Sequence, residues 1–107
     1  AVCWSLQEHA FAASIEVAER ALAHTGKTEL LLGGGVACNE RIREMSDIMC
    51  LERGATAHWP PKMYCIDNGT MIALLGLLQL ESIGPTELID SAVDQMLRTD
   101  MTPVAWA

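Results

Sequence analysis

Two short segments of this sequence contain residue types that could do chemistry. The first runs from Gly33, Gly34 and Gly35 to Asn39, between a predicted strand and a predicted helix. Glycine has no Cβ, so its backbone can approach a ligand closely, and the free N–H groups of a helix start favour an anion or a ribose edge. The Asn39 amide both donates and accepts, so it could bind a nucleotide. Alternatively, the glycines only turn the chain and Asn39 only caps the helix.

The second segment, Cys65 to Thr70, lies at the mouth of a predicted apolar helix and contains Asp67. A carboxylate there could ligate a metal ion, or stay ionised because the helix dipole favours negative charge. Two alternatives remain open: Asp67 caps the helix, or Asn68 and Gly69 form a hairpin turn. The apolar character of the residues that follow argues against the hairpin.

The other reactive residue types are scattered along the chain. His9, His24 and His58 have no carboxylate partner suggested by spacing, and we interpret them as ordinary surface or helix residues. No two of the four cysteines form a C-x-x-C pair, and no histidine lies at zinc-finger distance from them. We therefore expect small buried thiols in a reduced intracellular protein. No nucleophile–histidine arrangement is evident, so we assign no catalytic residue.

Alternating helices and strands must position these segments. A capping box at Ser5 and Glu8 predicts the start of a helix that ends at Gly26, with an apolar face that includes Leu6, Val17 and Leu22. A strand at 29–32, expected to be buried on both faces, is followed by a helix at 39–53 with Ile48 on its apolar face. A second strand at 55–59 then precedes a buried helix at 68–82. Residues 88–97 have helical spacing, but an irregular segment is also compatible. This order indicates an α/β fold with parallel strands joined by a right-handed crossover.

Composition excludes several classes of function. The net charge is −7 and the seven Lys and Arg residues form no cluster, so we expect no nucleic-acid binding by this chain alone. No apolar run reaches the roughly 18 residues that span a bilayer, and no signal peptide is visible, so we expect neither a membrane nor a secreted protein. Half of the 107 residues are hydrophobic, and we expect part of this apolar surface to face another domain or subunit.

Taken together, the two segments resemble a known family. Gly34-Gly35-Val36-Ala37-Cys38-Asn39, with Arg41-Ile42-Arg43-Glu44-Met45, resembles the G-G-V-(A/G)-(A/C)-N-x-R-(L/I)-x-E-M segment of the tRNA threonylcarbamoyladenosine transferases. Pro60-Pro61, then Cys65-Ile66-Asp67-Asn68-Gly69-Thr70-Met71-Ile72-Ala73, resembles their P-P-x-x-x-C-x-D-N-(G/A)-x-M-I-A segment. The Asn-Gly pair and the closing Arg98-Thr99-Asp100 resemble the archaeal and eukaryotic cytosolic branch. The older assignment of that family as an O-sialoglycoprotein endopeptidase has no support from any protease arrangement here.

The resemblance implies an actin-like ATPase, sugar kinase and Hsp70 (RNase H-like) fold, of which residues 1–107 would be a single partial domain, the C-terminal half-lobe. It implies transfer of a threonylcarbamoyl group from its adenylate to N6 of the adenosine beside a tRNA anticodon. Asp67 would ligate one divalent metal ion (iron, zinc or magnesium). Asn39, Gly34 and Gly35 would contact the nucleotide ligand, threonylcarbamoyl-adenylate or ATP.

The resemblance also implies partners: a small atypical protein kinase and the accessory subunits of the KEOPS complex, with tRNA bound through the whole complex in the cytoplasm or nucleus. The family's metal-binding H-x-x-x-H and N-terminal lobe are absent from this sequence. We therefore expect a fragment that is inactive alone. The alternative is a non-catalytic interaction module whose apolar face pairs with a partner or with itself. A sugar kinase is disfavoured by the N-G-x-M-I-A run.

Overall fold

The computed structural model describes residues 1–106, apart from the side chain of residue 99. It contains the helices α1 (Val2–Thr25), α2 (Glu40–Glu52), α3 (Lys62–Cys65) and α4 (Gly69–Ile83), the strands β1 (Glu29–Leu31) and β2 (Thr56–His58), and 3-10 turns at Gly35–Cys38, Leu88–Ser91 and Thr99–Met101. These elements form two compact units, Ala1–Asp67 and a second that begins at Asn68. No described helix is long and apolar enough to cross a membrane.

The two strands pair in parallel, as the alternating order of elements predicts. Glu29 lies opposite Thr56, and Leu31 lies opposite His58. The fold is therefore a helix-rich α/β arrangement with a parallel pair of strands. The prediction that β1 is buried on both faces is wrong within this chain, because only one face of the pair meets the core, through Leu30 and Ala57. Leu31, on the other face, is 73% exposed.

The core of the first unit lies between α1 and α2. Its buried members are Ile15, Leu22, Ile42, Met49 and Cys50. The predicted apolar face of α1 is right only in part, since Leu22 is buried but Leu6 and Val17 are exposed. The true face follows Phe11, Ile15, Ala18 and Leu22 at helical spacing. On α2, Ile48 is exposed and the small Ser46 and Cys50 are fully buried instead, so close approach of the elements selects small side chains over a larger one.

Local signals predicted most helix ends. Gly26 ends α1 in the left-handed conformation at φ 66°, which glycine adopts without a Cβ clash. Asn39 caps α2, as its type predicts. The capping box at Ser5 is wrong: α1 begins at Val2, and the Ser5 N–H already donates to the Ala1 carbonyl at 2.9 Å, so no side-chain cap is needed there.

The second unit consists of α4 and irregular chain. The predicted helix at 68–82 is confirmed, but none of its residues is buried. Within this unit α4 is followed only by short 3-10 turns, so the predicted burial of its apolar surface is wrong for this chain. The segment after Gly84 is irregular, with 3-10 turns in place of the helix that its spacing also allowed.

Candidate functional site

Asn39 uses both ends of its amide within the first unit. Its Oδ1 accepts from the Arg41 backbone N–H at 2.8 Å, which is the helix cap. Its Nδ2 donates to Oε1 of Gln7 at 3.0 Å and so ties the start of α2 to α1. The capping interpretation therefore describes part of what Asn39 does. A nucleotide could accept from the second N–H of Nδ2 or donate to the second lone pair of Oδ1.

The glycine turn before Asn39 follows the end of β1. Gly34 has φ 86°, a conformation that favours glycine, and Gly34 and Gly35 are exposed. A Cβ built at either glycine meets no described atom within 4 Å. At Gly34 the backbone conformation explains the glycine, whereas at Gly35 neither φ nor contact with the described residues does. The ligand role predicted for Gly35 stays a prediction, because the same open space surrounds every glycine of the chain.

Asp67 is the last residue of the first unit, and its side chain is exposed. The interpretation of Asp67 as a helix cap is wrong, because α4 is capped by Asn68, whose Oδ1 accepts from the Met71 N–H at 3.0 Å. The hairpin is wrong too, since Asn68 and Gly69 begin a helix. Within residues 1–106, no group of three His, Cys, Asp or Glu side chains could hold a metal ion. The described residues therefore do not form a complete metal site.

The fold brings the two sequence segments together. The Cys38 thiol, at the end of the glycine turn, donates to the Lys62 carbonyl at 3.6 Å, at the start of α3. The Lys62 ammonium lies 3.1 Å from the Glu40 carboxylate at the start of α2. The Cys65 thiol is buried and donates to the Pro60 carbonyl at 3.5 Å. These contacts pack the short helix α3, which the sequence did not predict, against the glycine turn. The chain reaches Asp67 two residues after the end of α3.

A cleft opens at the carboxyl ends of both strands. It has a volume of about 470 Å³ and is lined by Leu31, Leu32, Gly33, His58, Trp59 and Pro60. Ligands of parallel α/β folds bind at this end of the strands. His58 is less isolated than its spacing suggested, because the sheet register brings its Nε2 to 3.6 Å from the Glu29 carboxylate.

Comparison with known proteins decides the family. The family model for tRNA N6-adenosine threonylcarbamoyltransferase matches residues 1–74, a stretch that includes both segments. The chain belongs to this family. The tRNA N6-adenosine threonylcarbamoyltransferase of Methanocella arvoryzae is 53% identical over 105 residues, and that of Danio rerio is 49% identical over 105 residues. The Methanosarcina mazei relative, named a probable bifunctional tRNA threonylcarbamoyladenosine biosynthesis protein, is 55% identical over 105 residues.

These matches cover 98% of this chain but a minor part of each relative. The chain spans 32% of the Methanocella protein, 31% of the Danio protein and 19% of the Methanosarcina protein. The family resemblance in the sequence is therefore confirmed, for archaeal and eukaryotic relatives alike. The roles predicted for Asn39, Gly34, Gly35 and Asp67 stay predictions.

Sequence reasoning missed a charged pair that supports the site in this member of the transferase family. Arg41 binds Glu8 with two hydrogen bonds of 2.8 Å each, and also binds Glu44 at 2.7 Å. Glu8 had been assigned to a capping box. No local pattern could have found the pair, because it joins residues 33 positions apart on α1 and α2. Together with Gln7, Glu8 fixes the start of α2 directly beside Asn39.

The Glu8–Arg41 pair gives a pH-dependent prediction. The hydrogen-bonded Arg41 guanidinium lowers the pKa of the Glu8 carboxyl below its usual value. The pair therefore stabilises the fold above the ordinary Glu pKa of about 4.3, and this contribution is lost as the pH falls through the lowered folded value. We expect Glu8→Gln to flatten the fall in thermal midpoint on acidification from about pH 6 to about pH 3. Glu16→Gln, which removes an exposed pair with Arg20 inside α1, is the control and should leave the wild-type slope. An unchanged slope in Glu8→Gln would contradict the prediction.

Proposed function

We propose that this chain forms part of a longer enzyme that transfers a threonylcarbamoyl group from threonylcarbamoyl-adenylate to N6 of the adenosine beside the anticodon of tRNA. Membership of the transferase family supports the reaction class. The observation that carries the proposal is the packing of the Gly34–Asn39 segment against α3, directly before Asp67, at the carboxyl ends of the parallel strands. In this proposal the α/β unit belongs to an actin-like, RNase H-like lobe.

The proposed nucleotide contacts come from the glycine turn and the start of α2. Gly34 and Gly35 are exposed and open, so a nucleotide could lie against their backbone. Asn39 is half-buried, and its orientation is set by Arg41 N–H and Gln7. A preorganised amide loses little conformational entropy when it binds a ligand, and this favours affinity. Threonylcarbamoyl-adenylate or ATP fits this arrangement as an adenine nucleotide with a negatively charged phosphate.

The proposed metal contact is a single carboxylate. Asp67 offers oxygen ligands that a divalent cation accepts, but one carboxylate competes poorly with hydration in water. The remaining ligands of iron, zinc or magnesium would come from parts of the enzyme outside this chain. We derive no chemical step through the metal, because the described residues do not complete its site.

The proposed tRNA contact also lies outside this chain. With a net charge of −7, the chain repels a phosphate backbone at low ionic strength. We propose that the basic surface comes from the rest of the transferase and from the KEOPS subunits, including the small atypical kinase. Such an assembly would work in the cytoplasm or the nucleus.

A transfer assay tests the proposed function. We expect a full-length protein containing this chain to form threonylcarbamoyladenosine in tRNA, measured by mass spectrometry of digested tRNA, in the presence of its partner subunits. The isolated chain should form none, because it supplies one carboxylate toward the metal and one side of the nucleotide pocket. Product formed by the chain alone, or none by the complete assembly, would overturn the proposal.

A second candidate, an interaction module, is favoured by the exposed apolar surface of α4. Leu74, Leu77 and Leu80 are each at least half exposed, and large apolar patches drive association. We expect the isolated chain to self-associate, and more strongly at high salt, since salt screens the repulsion between acidic copies. Light scattering over a salt series measures this, with Leu74→Glu as the variant that should weaken association. A monomer at every salt and protein concentration would contradict this candidate.

A further inference from the structure

Arg43 contacts the segments that carry both candidate site residues. Its Nε donates to the Ala37 carbonyl in the glycine-led 3-10 turn. Its Nη2 donates to the Cys65 thiol at 3.7 Å, two residues before Asp67. Its guanidinium carbon lies 5.4 Å from the centroid of the Trp59 ring, just after β2. One side chain of α2 therefore touches both connections that follow the strands, at three residues.

The surroundings of Arg43 make these contacts stronger than surface contacts. Ala37 is 4% exposed and Cys65 is 3% exposed, so both hydrogen bonds are screened from water on the acceptor side. A guanidinium presents several donors in a planar fork and stacks on aromatic rings. A lysine ammonium can lie over an aromatic ring as a cation, but it lacks the planar fork of donors. Two other links between the segments are weaker, namely a thiol–carbonyl contact from Cys38 and an exposed ion pair from Lys62.

We propose that Arg43 is a positioning residue that sets the separation between the Asn39 segment and the Asp67 segment. Asn39 caps the same helix that carries Arg43, and Asp67 follows the thiol that Arg43 binds. Arg43 thus acts through the Ala37 carbonyl, the Cys65 thiol and the Trp59 ring, and none of its recorded contacts is with Asn39 or Asp67. Its importance for transfer rests on the proposed function, whereas its structural role is independent of it.

The cysteines of the chain provide a direct test of this role. Cys38 and Cys65 report on the two loops, Cys50 is buried in the α1–α2 core, and Cys3 is exposed. Labelling with a maleimide, followed by mass spectrometry of the peptides, gives a rate for each thiol in the intact chain. Local opening exposes only the thiols of the opened segment, whereas global unfolding exposes every thiol together.

We expect Arg43→Met to raise the labelling rate of Cys65 by about tenfold relative to Cys3, because charge-assisted hydrogen bonds and stacking are lost. The rate of Cys50 should change much less. Arg43→Lys should give an intermediate labelling rate at Cys65, because lysine keeps a positive charge near Trp59 but lacks the planar set of guanidinium donors. The matched control is Arg53→Met at the other end of α2, which removes a 2.7 Å ion pair to Glu19 and touches neither loop. It should leave the Cys65 rate unchanged.

A parallel rise of Cys50 and Cys65 in both Arg43→Met and Arg43→Lys would overturn the proposal, because Arg43 would then serve only global stability. An unchanged Cys65 rate in both variants would overturn it as well. The full-length transferase separates this role from the proposed function. There, Arg43→Lys should raise KM for threonylcarbamoyl-adenylate more than it lowers kcat. If the wild-type full-length assembly shows no transfer, the proposed function is overturned. A selective rise of the Cys65 labelling rate in Arg43→Met would still support the positioning role.

Discussion

Replacing Asp67 by alanine in the full-length transferase is expected to remove most of the bound divalent metal and leave the fold intact. Among the described residues the Asp67 side chain is exposed, so its truncation should cost the fold little. An exposed substitution of this kind changes the free energy of unfolding by about 0.5 kcal/mol or less. Loss of a direct ligand should exceed the roughly 10–100-fold loss in affinity seen when outer-shell partners are removed.

The measurement is metal content per protein after dialysis, together with a melting curve. Asp47→Ala is a suitable control, because Asp47 is an exposed carboxylate on α2, about two helical turns beyond Asn39. Its metal content and its thermal midpoint should both equal those of the wild type. Undiminished metal content in Asp67→Ala would contradict the ligand assignment. A large fall in its thermal midpoint would instead indicate a structural role for Asp67 that the isolated chain does not have.

Replacing Asn39 is expected to affect stability and nucleotide binding through different atoms. Asn39→Ala loses the Oδ1 cap of α2 and the Nδ2 bond to Gln7, so we expect a loss of about 1–2 kcal/mol in the free energy of unfolding. Asn39→Asp keeps a good capping oxygen and loses only the donor. Its stability should therefore stay closer to wild type.

Nucleotide affinity then separates the two roles of Asn39. In the full-length transferase, calorimetric titration with a nucleotide should show a loss of about 1–3 kcal/mol for both Asn39→Ala and Asn39→Asp, if a donor to the ligand is removed. Gln7→Ala removes the hydrogen bond that orients Nδ2 but leaves Asn39 in place, so it should lose less nucleotide affinity than either Asn39 variant. Unchanged binding in both Asn39 variants would restrict Asn39 to its role as a helix cap.

Much of the candidate site was predictable because its residues are marked by local backbone chemistry. Asn39 has the residue type that caps a helix, and it caps α2. Gly34 lies where the chain needs a positive φ. Asp67 and Asn39 were assigned to strand ends from the alternating order of elements, and the parallel pairing of β1 and β2 agrees with that order. The choice between Asp67 and Asn68 as the cap of α4 depends on a single hydrogen bond that the sequence does not reveal.

The sequence by itself therefore determined the longer helices, the two strands, their parallel pairing and the family, since these depend on short-range patterns of apolar, capping and glycine residues. Only the tertiary structure decided what holds the site together. Arg41 meets Glu8 across 33 positions, and Arg43 meets Cys65 across 22. The tertiary structure also decided which face of α1 is buried and that no described residue of α4 is buried. Such contacts depend on where separate elements meet in space, and no periodicity within one element encodes the residues of another.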